Sequence, residues 1–227
     1  MKIGCQVLLL LFAFCRSAEA QGFINLNFES ANVSGYAVGS LVPTNAALPG
    51  WIAFFGSNES SVVAYDGISA GGAVISVVDS NAAQYGYAPL QGKYSAALFG
   101  QGLTSPEISV AISQTGLVPS GTMSLQVEMA WLFAAPVVTL GGQAITMVPL
   151  QTFSNYTLYG GDISSFAGQV ATLSFTEPPP PIGTPSSVLL DGIAFSSQPI
   201  PEPGQWTLLG VGSLLLAWCR LRKRNPH

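Results

Sequence analysis

Carboxylates and aromatic rings are the side chains of this sequence that could act on a ligand. The three cysteines (Cys5, Cys15, Cys219) and the single histidine (His227) all lie outside residues 21–199. That central segment therefore lacks the usual zinc, copper and haem ligands and every Ser-His or Cys-His catalytic arrangement. A glycosidase needs two carboxylates about 5–10 Å apart, but no motif singles out a pair. We therefore predict that the chain is not an enzyme and requires no cofactor, with an extracellular hydrolase as the least favoured alternative.

Exposed aromatic rings could instead stack on the faces of sugars. The segment from Asn81 to Pro89 (NAAQYGYAP) is typical of a loop, and it carries Tyr85 and Tyr87. Trp51 is a third candidate for ligand contact. The alternative for each ring is burial, since most aromatic side chains of a domain belong to its core.

Charge divides the chain into three parts. Residues 1–20 have a net charge of +1, residues 21–199 have −8 with Lys93 as their only base, and residues 200–227 have +3. A central domain with one cation cannot neutralise a phosphate backbone, so we exclude nucleic acid as a partner.

The N-terminal segment, residues 1–20, has the pattern of a secretory signal peptide. Lys2 supplies a basic start, and residues 7–14 are apolar throughout. Ala18 and Ala20 place small residues before a cleavage site at Gln21, which implies processing by signal peptidase. A buried helix is the alternative interpretation.

The C-terminal segment, residues 200–227, combines three features in a fixed order. Pro201, Glu202 and Pro203 come first, an uncharged run of 14 residues follows at 206–219, and four basic residues close the pattern: Arg220, Arg222, Lys223 and Arg224. The apolar run predicts a transmembrane helix, although it is shorter than the roughly 20 residues usually needed. Because basic clusters stay cytoplasmic, this orientation places residues 21–199 outside the membrane.

This tail resembles the PEP-CTERM sorting signal of Gram-negative bacteria. The resemblance implies that an exosortase-type protease-transpeptidase recognises Pro201–Pro203 and processes the chain nearby. It also implies membrane anchoring after export, followed by a place on the cell surface or in the extracellular matrix, in hosts that often make polysaccharide. A GPI signal and an unprocessed single-pass anchor are alternatives.

The central domain shows the pattern of short β-strands. Leu125, Val127, Met129 and Trp131 alternate with other residues, which is the period of a half-buried strand. Gly141-Gly142 between two β-prone runs predicts a two-residue hairpin turn. We predict an all-β sandwich or jelly roll with strands at 23–29, 51–55, 61–65, 73–79, 94–99, 108–114, 124–133, 137–140, 143–147, 156–159, 171–176 and 188–195.

Three phrases of the domain resemble galactose-binding-like jelly rolls. They are Asn27-Phe28-Glu29, Pro49-Gly50-Trp51 and the closing strand at 189–195. The resemblance implies a structural calcium held by Glu29 and Asp191, whose oxygens suit a hard cation. Gly192 stands where a second aspartate is common in that group, and carboxylates that cap turns are the alternative.

Together these features predict an exported surface or matrix protein. Its segments are a signal peptide at 1–20, a β-sandwich at 21–199 and a sorting tail at 200–227. The expected role is non-enzymatic binding or organisation of extracellular polysaccharide. A purely structural envelope protein without a ligand is the alternative.

Overall fold

The computed structural model describes residues 21–69, 72–100, 102 and 108–200. Within these ranges the chain forms two β-sheets that pack face to face, so the prediction of an all-β sandwich is confirmed. None of the helices in the described ranges has the length and apolar character needed to cross a membrane. The predicted signal peptide at 1–20 and the predicted sorting tail from Pro201 onwards lie outside the described residues.

The first sheet has eight strands, numbered in chain order through the whole molecule. In spatial order they are β1 (Leu41–Pro43), β4 (Val62–Tyr65), β5 (Val74–Val78), β6 (Ser95–Gly100), β14 (Ser186–Ser196), β8 (Ser124–Leu132), β12 (Thr157–Asp162) and β11 (Val148–Thr152). Only β4 and β5 pair in parallel; the other neighbours are antiparallel.

The second sheet has six strands, all antiparallel to their neighbours. Their spatial order is β10 (Gln143–Ala144), β9 (Val137–Leu140), β13 (Val170–Glu177), β7 (Val110–Leu117), β2 (Ile52–Phe55) and β3 (Asn58–Ser60). One short α-helix, α1 (Thr44–Ala47), and two 3-10 helices, Ser80–Tyr85 and Ser164–Phe166, complete the regular structure of the described residues.

The main core lies between the two sheets. Leu125 and Val127 of β8 are fully buried there, together with Leu173 and Phe175 of β13. In both strands the buried residues alternate with more exposed ones, because successive side chains of a strand point to opposite faces. The predicted period of two is therefore confirmed.

A second apolar layer lies on the other face of the eight-stranded sheet. Residues of this layer are next in sequence to residues of the main core, so their side chains point to the opposite face of the sheet. They form a separate buried cluster that includes Val78, Ala97, Phe99 and Leu189. Ala82 and Leu90 join this cluster from the segment that connects β5 to β6. The connecting segment therefore folds over the sheet, and it carries Tyr85 and Tyr87 with it.

The hairpin at Gly141-Gly142 forms as predicted. Leu140 pairs with Gln143 across the turn, and the two glycines have φ angles of 57° and 78°. Positive φ at both central residues is the requirement of the turn that joins twisted antiparallel strands most directly.

The strand predicted at 23–29 does not form. Asn25 and Phe28 have positive φ angles of 50° and 56°, so the backbone turns where an extended strand was expected. Phe28 is fully buried and packs against Trp51. Burial of the Phe28 ring, together with the local turn, replaces sheet pairing in this segment.

Candidate ligand-binding site

A hollow of about 400 Å³ opens on the outer face of the eight-stranded sheet. Tyr85 and Tyr87 line it, together with Leu132 at the end of β8 and Asn155. Ser187 of β14 is also among the lining residues. The volume falls within the range of small-molecule sites, which combine apolar walls with a few polar groups.

Tyr85 ends the 3-10 helix Ser80–Tyr85. Asp79 caps this helix by accepting a hydrogen bond from the Asn81 N–H at 2.7 Å. Gly86 follows with a φ of 86° and ends the helix. Glycine adopts this left-handed conformation readily. The Tyr85 side chain remains 61% exposed, so its ring is available to a ligand.

A buried acidic network supports the base of this helix. The Tyr65 hydroxyl donates to Asp79 at 2.6 Å, and the Asp79 N–H donates to Asp66 at 2.8 Å. Burial and the contact with Asp79 raise the pKa of Tyr65. Burial also raises the pKa of Asp66, and it acts in the same direction on Asp79. Hydrogen bonds from Tyr65 and Asn81 outweigh it there and lower the pKa of Asp79. Asp79 therefore links Tyr65 and Asp66 to the start of the helix.

Tyr87 lines the hollow and also fastens the loop. Its ring meets Phe99 edge-on at 4.9 Å, and its hydroxyl lies 3.4 Å from the Ser187 hydroxyl. The ring is half-buried as a result. Tyr87 can therefore offer a ligand one part of its ring while the rest stays packed.

Other residues that line the hollow come from elements far from the tyrosine segment in the sequence. Trp131 and Leu132 end β8, and Asn155 lies in the turn between β11 and β12. The Asn155 amide donates to the Leu90 carbonyl at 2.9 Å, which ties that turn to the tyrosine loop. We did not predict a ligand role for Trp131, Leu132 or Asn155, since no local pattern distinguishes them from ordinary strand and turn residues.

A second hollow of about 330 Å³ shares Ala130 and Trp131 with the first. Phe153 and Tyr156 line it, with their rings stacked at a centroid distance of 4.7 Å. Phe153 is 41% exposed. Aromatic side chains therefore lie on both sides of the end of β8.

Trp51 lies in the main core and lines neither of these two hollows. It is 4% exposed and packs against Phe28 and Phe175 at centroid distances of 5.7 and 6.0 Å. Its indole N–H donates to the Asn25 carbonyl at 3.1 Å. Its rings are thus occupied by neighbours, and we leave Trp51 out of the proposed ligand surface.

Glu29 binds the backbone of the loop that follows the tyrosine segment. One of its carboxylate oxygens accepts the N–H groups of Lys93 at 2.7 Å and Tyr94 at 3.0 Å. A Cβ at Gly92 would lie 2.3 Å from the same oxygen, so the loop approaches Glu29 too closely for a side chain there.

Asp191 holds the same loop from the sheet. It accepts hydrogen bonds from the Ser95 hydroxyl at 2.6 Å and from the Gln91 N–H at 3.2 Å. Asp191 is 2% exposed, and burial raises its pKa to about 6. Glu29 and Asp191 therefore both accept hydrogen bonds from one segment, residues 91–95.

The surroundings of these carboxylates do not fit calcium well. Calcium takes six to eight oxygen ligands, whereas Glu29 and Asp191 face N–H and O–H donors. Among the described residues no group of three or more acidic, histidine or cysteine side chains could hold a metal. Gly192 has a φ of 53°, and a Cβ there would lie 2.6 Å from the Glu128 side chain, so a second aspartate at that position would require Glu128 to move.

Glu128 lies beside Asp191 across the β8–β14 pair. One of its oxygens accepts from the Gln91 amide at 2.5 Å, while the other is buried without a hydrogen-bond partner. Burial raises the pKa of Glu128. The two carboxylates are neighbours, but burial of Asp191 closes this pair to a substrate.

Comparison with solved structures gives a distant likeness of fold. No protein-family model matches the chain, and no curated protein is significantly similar to it. The fold is similar to that of the carbohydrate-binding module TmCBM61, solved in complex with beta-1,4-galactotriose, with a TM-score of 0.42 and 14% sequence identity. The match covers 78% of this chain and 99% of that one. A likeness at this level carries no argument about what this chain binds.

Proposed function

We propose that the β-sandwich at 21–199 is a non-catalytic domain that binds extracellular polysaccharide at the hollow between Tyr85 and Leu132. The observation that carries the proposal is that an exposed ring, Tyr85, and the side-chain amide of Asn155 line the same hollow. An aromatic face offers apolar area to the C–H side of a sugar, and amide and hydroxyl groups suit its hydroxyls.

The charges favour a neutral polysaccharide over an acidic one. None of the described residues that line the hollow carries a charge. The domain around it has a net charge of −8, which repels uronate, sulfate or phosphate groups. Neutral sugars avoid this repulsion.

Glycan arrays probed with the full-length chain test the proposal. We expect binding to neutral glycans that Tyr85→Ala and Tyr87→Ala each weaken by about tenfold, since loss of an aromatic contact costs roughly 0.5–1.5 kcal/mol. Tyr36→Ala is the matched control, because Tyr36 is 40% exposed and does not line this hollow. Equal binding by all three variants would contradict the site, and absence of any glycan ligand would favour a purely structural envelope protein.

We also propose that the chain is exported and sorted by its two terminal segments. The proposal is supported by the apolar segment before Gln21, the Pro201–Pro203 motif and the basic cluster at 220–224. Signal peptidase and an exosortase would be the partners, and the cell surface or matrix the destination. Mass spectrometry of the mature protein should find an N-terminus at Gln21 and a C-terminus before Trp206. An intact His227 in a host with an exosortase would contradict processing.

Structural calcium and the galactose-binding-like jelly-roll classification both stay proposals, and a calcium titration addresses the first. If Glu29 and Asp191 bind calcium, calorimetry of the full-length chain shows heat that Glu29→Gln and Asp191→Asn remove. If they serve only to hold the loop at 91–95, both variants lower stability and calcium gives no heat with any of the three proteins.

A further inference from the structure

The second hollow lies where β12 stops short of the end of β8. β12 pairs with β8 only as far as Thr157 opposite Met129. On its other side β8 pairs with β14 as far as Leu132. The last three residues of β8 therefore have a described strand on one side only. Ala130, Trp131 and Thr157 line the second hollow, which thus lies at this step in the sheet.

Phe153 offers the second hollow an aromatic surface that its neighbours hold in place. The Phe153 ring lines this hollow, stacks on the Tyr156 ring and remains 41% exposed. The Phe153 N–H donates to the Tyr156 carbonyl at 2.8 Å, and the Gln91 amide donates to the Tyr156 hydroxyl at 2.9 Å. A ring that is ordered before binding loses little conformational freedom to a ligand, which favours affinity.

The second hollow adjoins the first. Both are lined by Ala130 and Trp131, which are consecutive residues of β8. Asn155 lines the first hollow, and the next residue, Tyr156, lines the second. Neither hollow has a charged side chain among its described lining residues. The same class of neutral ligand therefore suits both.

We infer that the two hollows form one groove that binds consecutive units of a neutral polysaccharide, with Tyr85 contacting one unit and Phe153 another. The inference rests on the proposed function and deepens it, because it makes affinity depend on ligand length. A single sugar unit occupies the hollow of Tyr85 alone, whereas a longer oligosaccharide also contacts the Phe153 ring. Aromatic rings in two adjoining hollows are what such a ligand requires.

Calorimetry of the full-length chain compares the monosaccharide and the tetrasaccharide of the glycan selected on the array. The wild type should bind a single tetrasaccharide, about tenfold more tightly than the monosaccharide. Phe153→Ala should remove this gain and leave the monosaccharide affinity unchanged. Phe153→Tyr should keep the gain, because it retains the ring. Tyr36→Ala is the matched control, since Tyr36 is 40% exposed and lines neither hollow.

Each other outcome is decisive. Unchanged tetrasaccharide affinity in Phe153→Ala, while Tyr85→Ala loses binding, would overturn the groove and leave the proposed function standing. Equal losses for both ligands in Phe153→Ala would show that the ring only supports the fold of the site, which also overturns the inference. Two tetrasaccharides bound to each chain would show two separate sites in place of one groove. A wild-type chain that binds no glycan would overturn the proposed function itself.

Discussion

Glu177 and Asp191 are two acidic residues whose burial makes the fold sensitive to pH. Glu177 is fully buried at the end of β13, and one of its oxygens has no hydrogen-bond partner. Burial raises the pKa of Glu177 to about 7 and that of Asp191 to about 6. An unfolded chain binds these protons less tightly, so the folded state takes up protons relative to it. The contribution of these two carboxyl groups to stability is therefore complete below their unfolded pKa of about 4. It is lost as the pH rises through about 6 and 7.

We predict that Glu177→Gln removes much of this pH dependence. The glutamine amide can still bond to the Ser186 hydroxyl, which donates to Glu177 in the wild type, and it carries no charge to bury. The free energy of unfolding of the wild type should fall by about 2–3 kcal/mol from Glu177 alone between about pH 5 and pH 8. Urea denaturation at both pH values measures the difference. The exposed variant Glu59→Gln should keep the wild-type slope, and an equal slope in Glu177→Gln would contradict the assignment.

At the scale of elements, turns decide where strands begin and end. β1 and β3 have three residues each, too few for alternation to be recognised, and neither was predicted. β11 also escaped prediction, because Pro149 interrupts its pattern at a register shift. By contrast β9 was predicted with its observed bounds, since a strong turn at Gly141 defines its end. Strand existence is read from side-chain period, whereas strand ends depend on backbone conformation.

The turn of the β9–β10 hairpin tests how much a positive φ angle matters for stability. A Cβ at Gly142 would meet nothing within 4 Å, yet its φ is 78°. Gly142→Ala should therefore cost about 1–2 kcal/mol through the backbone alone, lowering the melting temperature by about 2–8 °C. Gly22→Ala, also with open space but without positive φ, should be nearly neutral. Calorimetric melting of both variants measures the contrast, and equal melting temperatures would refute the argument.

The whole molecule depends on the core between the sheets for its stability. No cysteine occurs in residues 21–199, so no disulfide contributes there. Trp51 lies at the centre of this core with Phe28 and Phe175. The outer face of the eight-stranded sheet carries a smaller apolar cluster, and it is this face that supports the proposed ligand site. The fold thus separates the residues that stabilise it from those that are available to bind.

That separation predicts a large loss of stability for truncation of a core aromatic residue and almost none for truncation of an exposed one. Trp51→Ala should cost about 3–5 kcal/mol, as loss of a buried aromatic side chain usually does. Tyr85→Ala should change stability by less than about 0.5 kcal/mol, because its ring is exposed. Denaturant unfolding of both variants tests the difference. A stable Trp51→Ala protein would contradict the central place of Trp51 in the core.

Local sequence determined the class of the fold and suggested two residues of the candidate site. Alternating residues such as Leu125 and Val127 marked the half-buried strands, because alternation follows directly from strand geometry. The segment at 81–89 stood out as a candidate because it carries two tyrosines, Tyr85 and Tyr87, in a stretch typical of a loop.

Tertiary structure alone decided what faces that loop. Trp131, Leu132 and Asn155 reach the hollow only because β8, β12 and β14 pair side by side. It also placed Trp51 in the core and Glu29 against the loop at 91–95, where their residue types alone allowed other roles. Such contacts join residues far apart in the chain, and the energy that selects them comes from packing of the assembled sheets, which no short stretch of sequence contains.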